Sequence, residues 1–358
     1  MRHIVAVADL LSEAMPLRRL LKYNAHTKPH LAILSFSTLS SRYLMPQTAP
    51  ENSPEQEQSS TTLNTSEQVQ QHLGKGIAFM MTGSVLFAIA DALGKLVTQG
   101  YPLSQVVWLR SVFGLMLIAL VILVNGKPRD FKTSRPLNHL IRSLVGISMT
   151  VCILVGLKYI PLAEVTSLVF ATPLVVAVYS ITVLKEPMNK GMLMAIILGL
   201  VGVIIVVRPT PDHFHIAHLV MLGFVLSSAY LSISARALVK TESALTLNFY
   251  IYPATIIAGA WFAWRDWVTP DFQSLAMLFG VAFFATLALL SITKAVHCAS
   301  PAKVTPFDYS RIIWTLALGF LFWGELPDSV TWIGIAVIIL SGLYIISKGR
   351  TRTAKQEK

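Results

Sequence analysis

Charged side chains are scarce in this chain. Asp, Glu, Lys and Arg make up 13% of its 358 residues, against about 25% in soluble domains, and that shortage excludes an ordinary water-soluble globule. Cysteine is nearly absent too. Cys152 and Cys298 are the two present, both within or at the end of apolar runs, so neither a disulfide framework nor a CxxC metal motif can be built. They read as small buried apolar residues. HExxH and GxSxG do not occur. His213, His215 and His218 stand together in HFHIAH, but in a loop between apolar runs, where scattered histidines are solvated rather than metal-binding. These absences argue against an intramembrane enzyme, and no cofactor or metal is expected. A channel would show rings of like residues from several subunits; saturation and counterflow separate a carrier from it.

What fills the space is apolar. Hydrophobic residues reach 54% and mean hydropathy is +0.62. A helix needs roughly 20 apolar residues to cross the hydrocarbon core. Ten such stretches are legible, at about 75–97, 103–124, 138–156, 161–184, 191–207, 216–239, 245–264, 274–296, 302–323 and 330–347. The second five echo the first five at a shift of 139 residues: Ala163 meets Ala302, Val165 meets Val304, Thr166 meets Thr305 and Glu186 meets Glu325. Because each unit has an odd number of helices, the second copy lies inverted in the bilayer relative to the first. Repeats of this kind are how many secondary transporters are built. The expected fold is therefore an all-α polytopic membrane protein, ten transmembrane helices in two inverted five-helix repeats. The first repeat spans 74–209, the second 210–348, and 349–358 is a basic tail.

The net charge of +11 is a topology signal rather than a nucleic-acid footprint. Lys127, Arg129, Lys132, Arg135, Lys185, Lys190, Lys240 and the tail residues Lys348, Arg350, Arg352, Lys355 and Lys358 fall on one side of the predicted bundle. The other side has Lys158, Arg208 and Arg265. Cytoplasmic loops collect Lys and Arg, so both termini are expected in the cytoplasm, and nucleic acid is not expected as a partner. Residues 1–73 form an extension outside the membrane unit. Its part 46–72, rich in Pro, Gln, Ser, Thr and Glu, cannot bury enough surface to offset ordering and reads as disordered. Met45 directly precedes it and is a second candidate start, which the intact mass of the native protein decides.

Charges at bilayer depth cost about 2.5–3.5 kcal/mol on insertion scales and so face a cavity or a partner. Asp91 and Lys95, four apart on the first helix, share one face and read either as site residues or as a structural pair. Arg110 lies inside the second apolar run with no acidic neighbour on its own helix. Glu164 opens the fourth helix, while Lys95, Arg236 and Lys294 lie near helix ends where long side chains snorkel. The run TPFDYSR gives Asp308, Tyr309 and Arg311, with Asp308 and Arg311 paired on one face three residues apart, after Pro306, which loosens a helix where a polar cavity uses the freed carbonyls. Glu186 and Glu325 read as helix-ending turn residues on opposite membrane faces, with a role as gate-side partners as the alternative. Gly199, Gly202, Ser341 and Gly342 permit close helix packing.

The candidate substrate-binding or coupling set is Asp91, Lys95, Arg110, Glu164, Arg236, Asp308, Tyr309 and Arg311. Cations outnumber anions in it, and a cavity of both signs suits a zwitterion or a carboxylate-bearing metabolite. Trp108, Tyr230, Tyr250, Tyr252, Tyr309 and Trp314 either stack on a planar ligand or pack helices. Asp91, Glu164 and Asp308 are candidates for proton coupling. The expected partners are a small-molecule substrate and the lipid bilayer; homo-oligomerisation is left open.

The run LKYIPLAEVTSLVFATPLVVAVYSITVLKEP, with a second copy ending in FLFWGELPDSVTWIGIAVIILSGLYI, resembles the EamA type of the drug/metabolite transporter superfamily. Pro161 before the fourth helix, Pro173 within it, the closing Glu186–Pro187 and the Gly-rich helix after it occur in order. FAIADALGKLV and PFDYSRIIW are similar to the branch that contains bacterial S-adenosylmethionine carriers. The resemblance implies a ten-helix inverted-repeat carrier in a bacterial inner membrane with substrate held between the halves. It leaves the cargo open, since members carry amino acids, nucleoside-like compounds, vitamins and metallophores, and an exporter of a carboxylate-bearing metabolite or metallophore is the alternative. One departure predicts an asymmetric kink: Ile312 stands where the first repeat has Pro173.

Overall fold

The computed structural model describes residues 54–356 apart from 183–189, 209, 211–213, 239–240 and 300; side chains are described from His72 onward, except at 125, 180, 236, 301–302 and 347–356. Met45, Glu186 and Lys240 lie outside the described residues, as do residues 1–53, whereas residues 54–72 of the segment expected to be disordered are helical. Residues 65–358 form one compact unit, and the following concerns that unit.

Its helices are α1 (Pro54–Gly100), α2 (Leu103–Asn125), α3 (Pro136–Tyr159), α4 (Leu162–Val169), α5 (Thr172–Thr182), α6 (Lys190–Val207), α7 (Ile216–Leu238), α8 (Ala244–Phe249), α9 (Tyr252–Arg265), α10 (Phe272–Cys298), α11 (Pro301–Val304), α12 (Arg311–Trp323) and α13 (Ser329–Gln356). There is no strand among the described residues. Among the described residues nine helical segments are long and apolar enough to cross a membrane, from His72–Gly100 to Ser329–Ile346. The remaining pass, ninth in chain order, is α11, a 3-10 turn at Thr305–Ser310, and α12, which is broken too often to count as one long helix. The fold is all-α and polytopic, with two five-pass repeats.

The breaks carry the symmetry. α4 starts at Leu162 and α11 at Pro301; α5 restarts at Thr172 and α12 at Arg311, each pair 139 apart, the shift of the repeat. The kink expected to be asymmetric is therefore symmetric in position. Pro173 is the second residue of α5 and Pro306 the second of the 3-10 turn. A missing N–H leaves no bond unmade at such positions, so two differently placed prolines permit breaks that end in the same register. The rings of Phe170 and Tyr309, also 139 apart, pack with centroids 4.7 Å from each other, so the two halves meet there through equivalent residues. The Tyr309 hydroxyl fills the notch left by Gly342, where a Cβ would collide with it.

The fifth passes, α6 and α13, pack closely. A Cβ on Gly202 would lie 3.1 Å from the Gly334 carbonyl, and one on Gly334 would lie 3.0 Å from the Gly202 carbonyl. Lipid offers little hydrophobic drive for helix association, so this backbone approach supplies van der Waals contact that bulkier residues would forbid.

Candidate functional site

A cavity of about 240 Å³ lies between the repeats. From the first repeat it takes Phe87, Ala90, Asp91 and Gly94 of α1, Arg110 of α2, Met149, Ile153, Leu154 and Leu157 of α3, and Val169 of α4. The second repeat supplies Phe224 and Ser228 of α7, Val281 and Ala285 of α10, and Arg311 at the start of α12. The walls are apolar and the charges few, as in small-molecule sites. Arg311 Nη2 donates to Asp91 Oδ2, with both residues buried. The Arg311 guanidinium also lies 4.9 Å from the Phe87 ring centroid, a cation–π distance, while its buried Nε has no hydrogen-bond partner. The α5/α12 break places Arg311 here by starting a fresh helix at that residue. Its repeat counterpart is Thr172, so the charge is not duplicated.

Arg110 reaches the same cavity, and its side chain makes no hydrogen bond or ion pair among the described residues. Tyr252 and Asp91 are near enough to act on its charge. The Tyr252 ring packs onto Gly114, one turn beyond Arg110, where a Cβ would lie 2.7 Å from the ring.

Of the residues singled out from sequence, Asp91, Arg110 and Arg311 thus come together. Asp91 and Lys95 share a helix face but not a partner. Lys95 Nζ donates to Glu325 Oε1 at 2.5 Å and to the Ile160 carbonyl at 3.1 Å. Asp308 does not pair with Arg311; its Oδ1 accepts from Ser84 Oγ at 2.7 Å. Glu164 stands outside the cavity, where its Oε2 meets His218 Nε2 at 2.9 Å. Tyr309 packs on Phe170 and Lys294 over the Phe79 ring. The backbone of Arg236 belongs to α7, and its side chain is outside the described residues.

Two ionic layers flank the cavity, and part of both escaped the sequence reading. At one end stand Lys95–Glu325, Glu164–His218 and Arg208–Asp328, around a second hollow of about 260 Å³ lined by Pro161, Ala163, Glu164, Glu325, Leu326, Pro327 and Asp328. At the other, His139 Nε2 pairs with Glu242 Oε2, and Thr133 Oγ1 donates to Glu242 Oε1 at 2.5 Å. Arg142 donates to the Leu231 carbonyl at 2.7 Å and to Ser234 Oγ. His139 and Arg142 sit inside the third apolar run, so the scarcity of intramembrane charge was the signal that could have found them.

Glu242 lies in the turn between α7 and α8. Burial works against its ionisation, but hydrogen bonds from Thr133, His139 and the Ser134 amide outweigh burial and hold the carboxyl below its ordinary value. A depressed folded-state value adds stability above the unfolded pKa, about 4.3, and this is lost as pH falls through the folded value. Glu242→Gln is expected to lower the Tm of the detergent-purified protein near neutral pH and to flatten the further loss below about pH 4.3; unchanged acid sensitivity in the variant would refute the assignment.

The EamA-like transporter family matches this chain twice, over residues 74–208 and 215–347. The chain is 25% identical over 283 residues to the S-adenosylmethionine uptake transporter of Rickettsia prowazekii, covering 79% of this chain and 96% of that protein. It is 24% identical over 294 residues to the riboflavin transporter of Vibrio cholerae, covering 81% and 98%. It is 24% identical over 271 residues to the Pseudopaline exporter CntI of Pseudomonas aeruginosa, covering 75% and 95%. A solved crystal structure shares the fold at a TM-score of 0.54 and 16% identity, covering 76% of this chain and 96% of that one.

Proposed function

The chain belongs to the EamA-like transporter family, and from that premise we propose that it is a secondary carrier moving a small zwitterionic or carboxylate-bearing metabolite by alternating access. Membership puts it among multi-pass membrane transporters rather than enzymes. The observation that carries the finer reading is the central cavity, walled by both repeats and crossed by one ion pair, Asp91–Arg311, that ties them together. Rocking one repeat against the other presents that cavity to each membrane face in turn. A bacterial inner membrane with both termini in the cytoplasm fits the Lys and Arg asymmetry of the loops. S-adenosylmethionine, riboflavin and pseudopaline, named for three relatives, define the cargo range to test. Sulfonium amino acid, vitamin and metallophore differ in charge, and a cavity with two guanidiniums and one carboxylate favours a cargo with a free carboxylate.

The test is counterflow in proteoliposomes preloaded with S-adenosylmethionine, riboflavin or an amino-acid mixture. Saturable exchange of one compound, abolished by Asp91→Asn in protein that still folds, is expected. Conductance without saturation, or exchange untouched by the substitution, would refute the carrier reading or this site respectively.

A further inference from the structure

We infer that the central cavity recognises an α-amino-acid headgroup, its carboxylate held by Arg110 and its ammonium by Asp91. The inference rests on the carrier reading above and assigns the substrate class of its site. Arg110 is a cation within the apolar part of the bundle, yet no carboxylate, carbonyl or hydroxyl among the described residues accepts from it. Intramembrane charge is retained where it meets a partner or a cavity, and here it meets the cavity. A guanidinium offers a planar fork of donors that matches a carboxylate and not an ammonium.

Asp91 is the sole acid among the lining residues. It shares the cavity with two guanidiniums, bonded to that of Arg311 and not to that of Arg110. With two cations and one anion, the empty cavity carries an excess positive charge that one ligand carboxylate neutralises. An ammonium on the same ligand then competes with Arg311 for Asp91. Arg311 does not lose its surroundings in that exchange, because it keeps the face of Phe87. The rest of the ligand meets Met149, Leu154 and Phe224, which accept an apolar or aromatic side chain.

The exchange has a mechanical consequence. Asp91 belongs to the first repeat and Arg311 to the second, so the ligand replaces a tie between repeats with ties to itself. A ligand that lacks the ammonium leaves the Asp91–Arg311 tie in place, and one that lacks the carboxylate leaves Arg110 unpaired.

The test uses the detergent-purified full chain, thermal unfolding, and three probes: L-methionine, L-phenylalanine and S-adenosylmethionine. Each is compared with its decarboxylated amine and, for the two amino acids, its N-acetyl derivative. At least one intact zwitterion is expected to raise the Tm of the wild type, with its two derivatives binding roughly 10–100-fold more weakly, the worth of a charge-assisted hydrogen bond. Arg110→Gln is expected to abolish the zwitterion's effect and Arg110→Lys to keep part of it. Neither substitution should lower the ligand-free Tm by much, because no hydrogen bond or ion pair among the described residues is lost.

Absence of any zwitterion effect on the wild type would overturn the assignment, and so would an effect that survives Arg110→Gln or decarboxylation. A collapse of the ligand-free Tm in both Arg110 variants would give that residue a structural partner and overturn it equally. Counterflow separates the two levels. Riboflavin exchange that is indifferent to Arg110→Gln would leave the carrier standing and remove the amino-acid assignment. Zwitterion binding without any exchange would keep the assignment and remove the carrier.

Discussion

Asp91→Asn is expected to be the most damaging single substitution in the cavity, destabilising the protein by about 3–5 kcal/mol and abolishing transport, whereas Arg311→Gln is expected to be milder in stability though equally inactive. Removing one partner of a buried pair leaves an uncompensated charge, and that loss is of this size. The asymmetry comes from Arg110. Without Asp91, two guanidiniums share an apolar-walled cavity and neither has an anion. Without Arg311, the Asp91 carboxylate still has Arg110 across the same space and can draw it in. The double variant Asp91→Asn with Arg311→Met removes both ends of the tie and is expected to recover most of the lost stability without recovering transport, since well-packed apolar replacements of buried pairs are often neutral. Thermal unfolding in detergent and counterflow on the same preparations read the two effects. Equal losses for Asp91→Asn and Arg311→Gln would mean that Arg110 does not serve Asp91.

The architecture was largely written in the pattern of apolar runs. Their number and the echo at 139 residues predict ten passes in two repeats without any long-range information, because a lipid-spanning segment must satisfy its backbone within itself. The helix breaks were harder. Pro173 has Ile312 as its counterpart and suggested that the kinks of the two repeats are not symmetric. The register of the restarts, Thr172 and Arg311, emerges only when the 3-10 turn around Pro306 is seen to do the same work from five residues upstream. Partner choice was not legible at all. Asp91 and Lys95 lie one turn apart, yet their ionic partners are 220 and 230 residues away in sequence. Nothing local distinguishes those partners from Asp308, which faces Ser84 instead. Glu325 was read as a turn residue, and it is one; what the turn does with the free carboxylate depends on α1 and α4 arriving beside it.

That carboxylate carries the second large effect. Gly324 ends α12 in the left-handed region, at φ 67°, a conformation that L residues adopt only with strain, and it turns Glu325 back toward the bundle. Oε2 then accepts the Leu162 amide at 3.0 Å, one of the unpaired N–H groups at the start of α4, while Oε1 takes Lys95. Lys95 is further held 5.1 Å from the centroid of Trp323. One side chain of the second repeat thus joins two elements of the first at the end of the bundle beside the second hollow. If the repeats rock, this contact must open in every cycle. Glu325→Gln keeps an acceptor for Leu162 but removes the charge that holds Lys95, and is expected to slow transport by tenfold or more, about 1.4 kcal/mol or above. It should also raise the rate at which a cysteine placed at Leu326 reacts with a water-soluble maleimide. Lys95→Met should act alike, and the two together should do no more than either alone, because residues in one ion pair are not additive. Lys95 is 4% exposed and the Glu325 side chain 24%, so the orphaned carboxylate in Lys95→Met rehydrates more easily than the orphaned ammonium in Glu325→Gln. The glutamate variant is therefore the less stable of the two. Maleimide reactivity unchanged in both would make this contact a fixed strut of the scaffold, and the moving seam would then lie at the opposite end, along His139, Arg142 and Glu242.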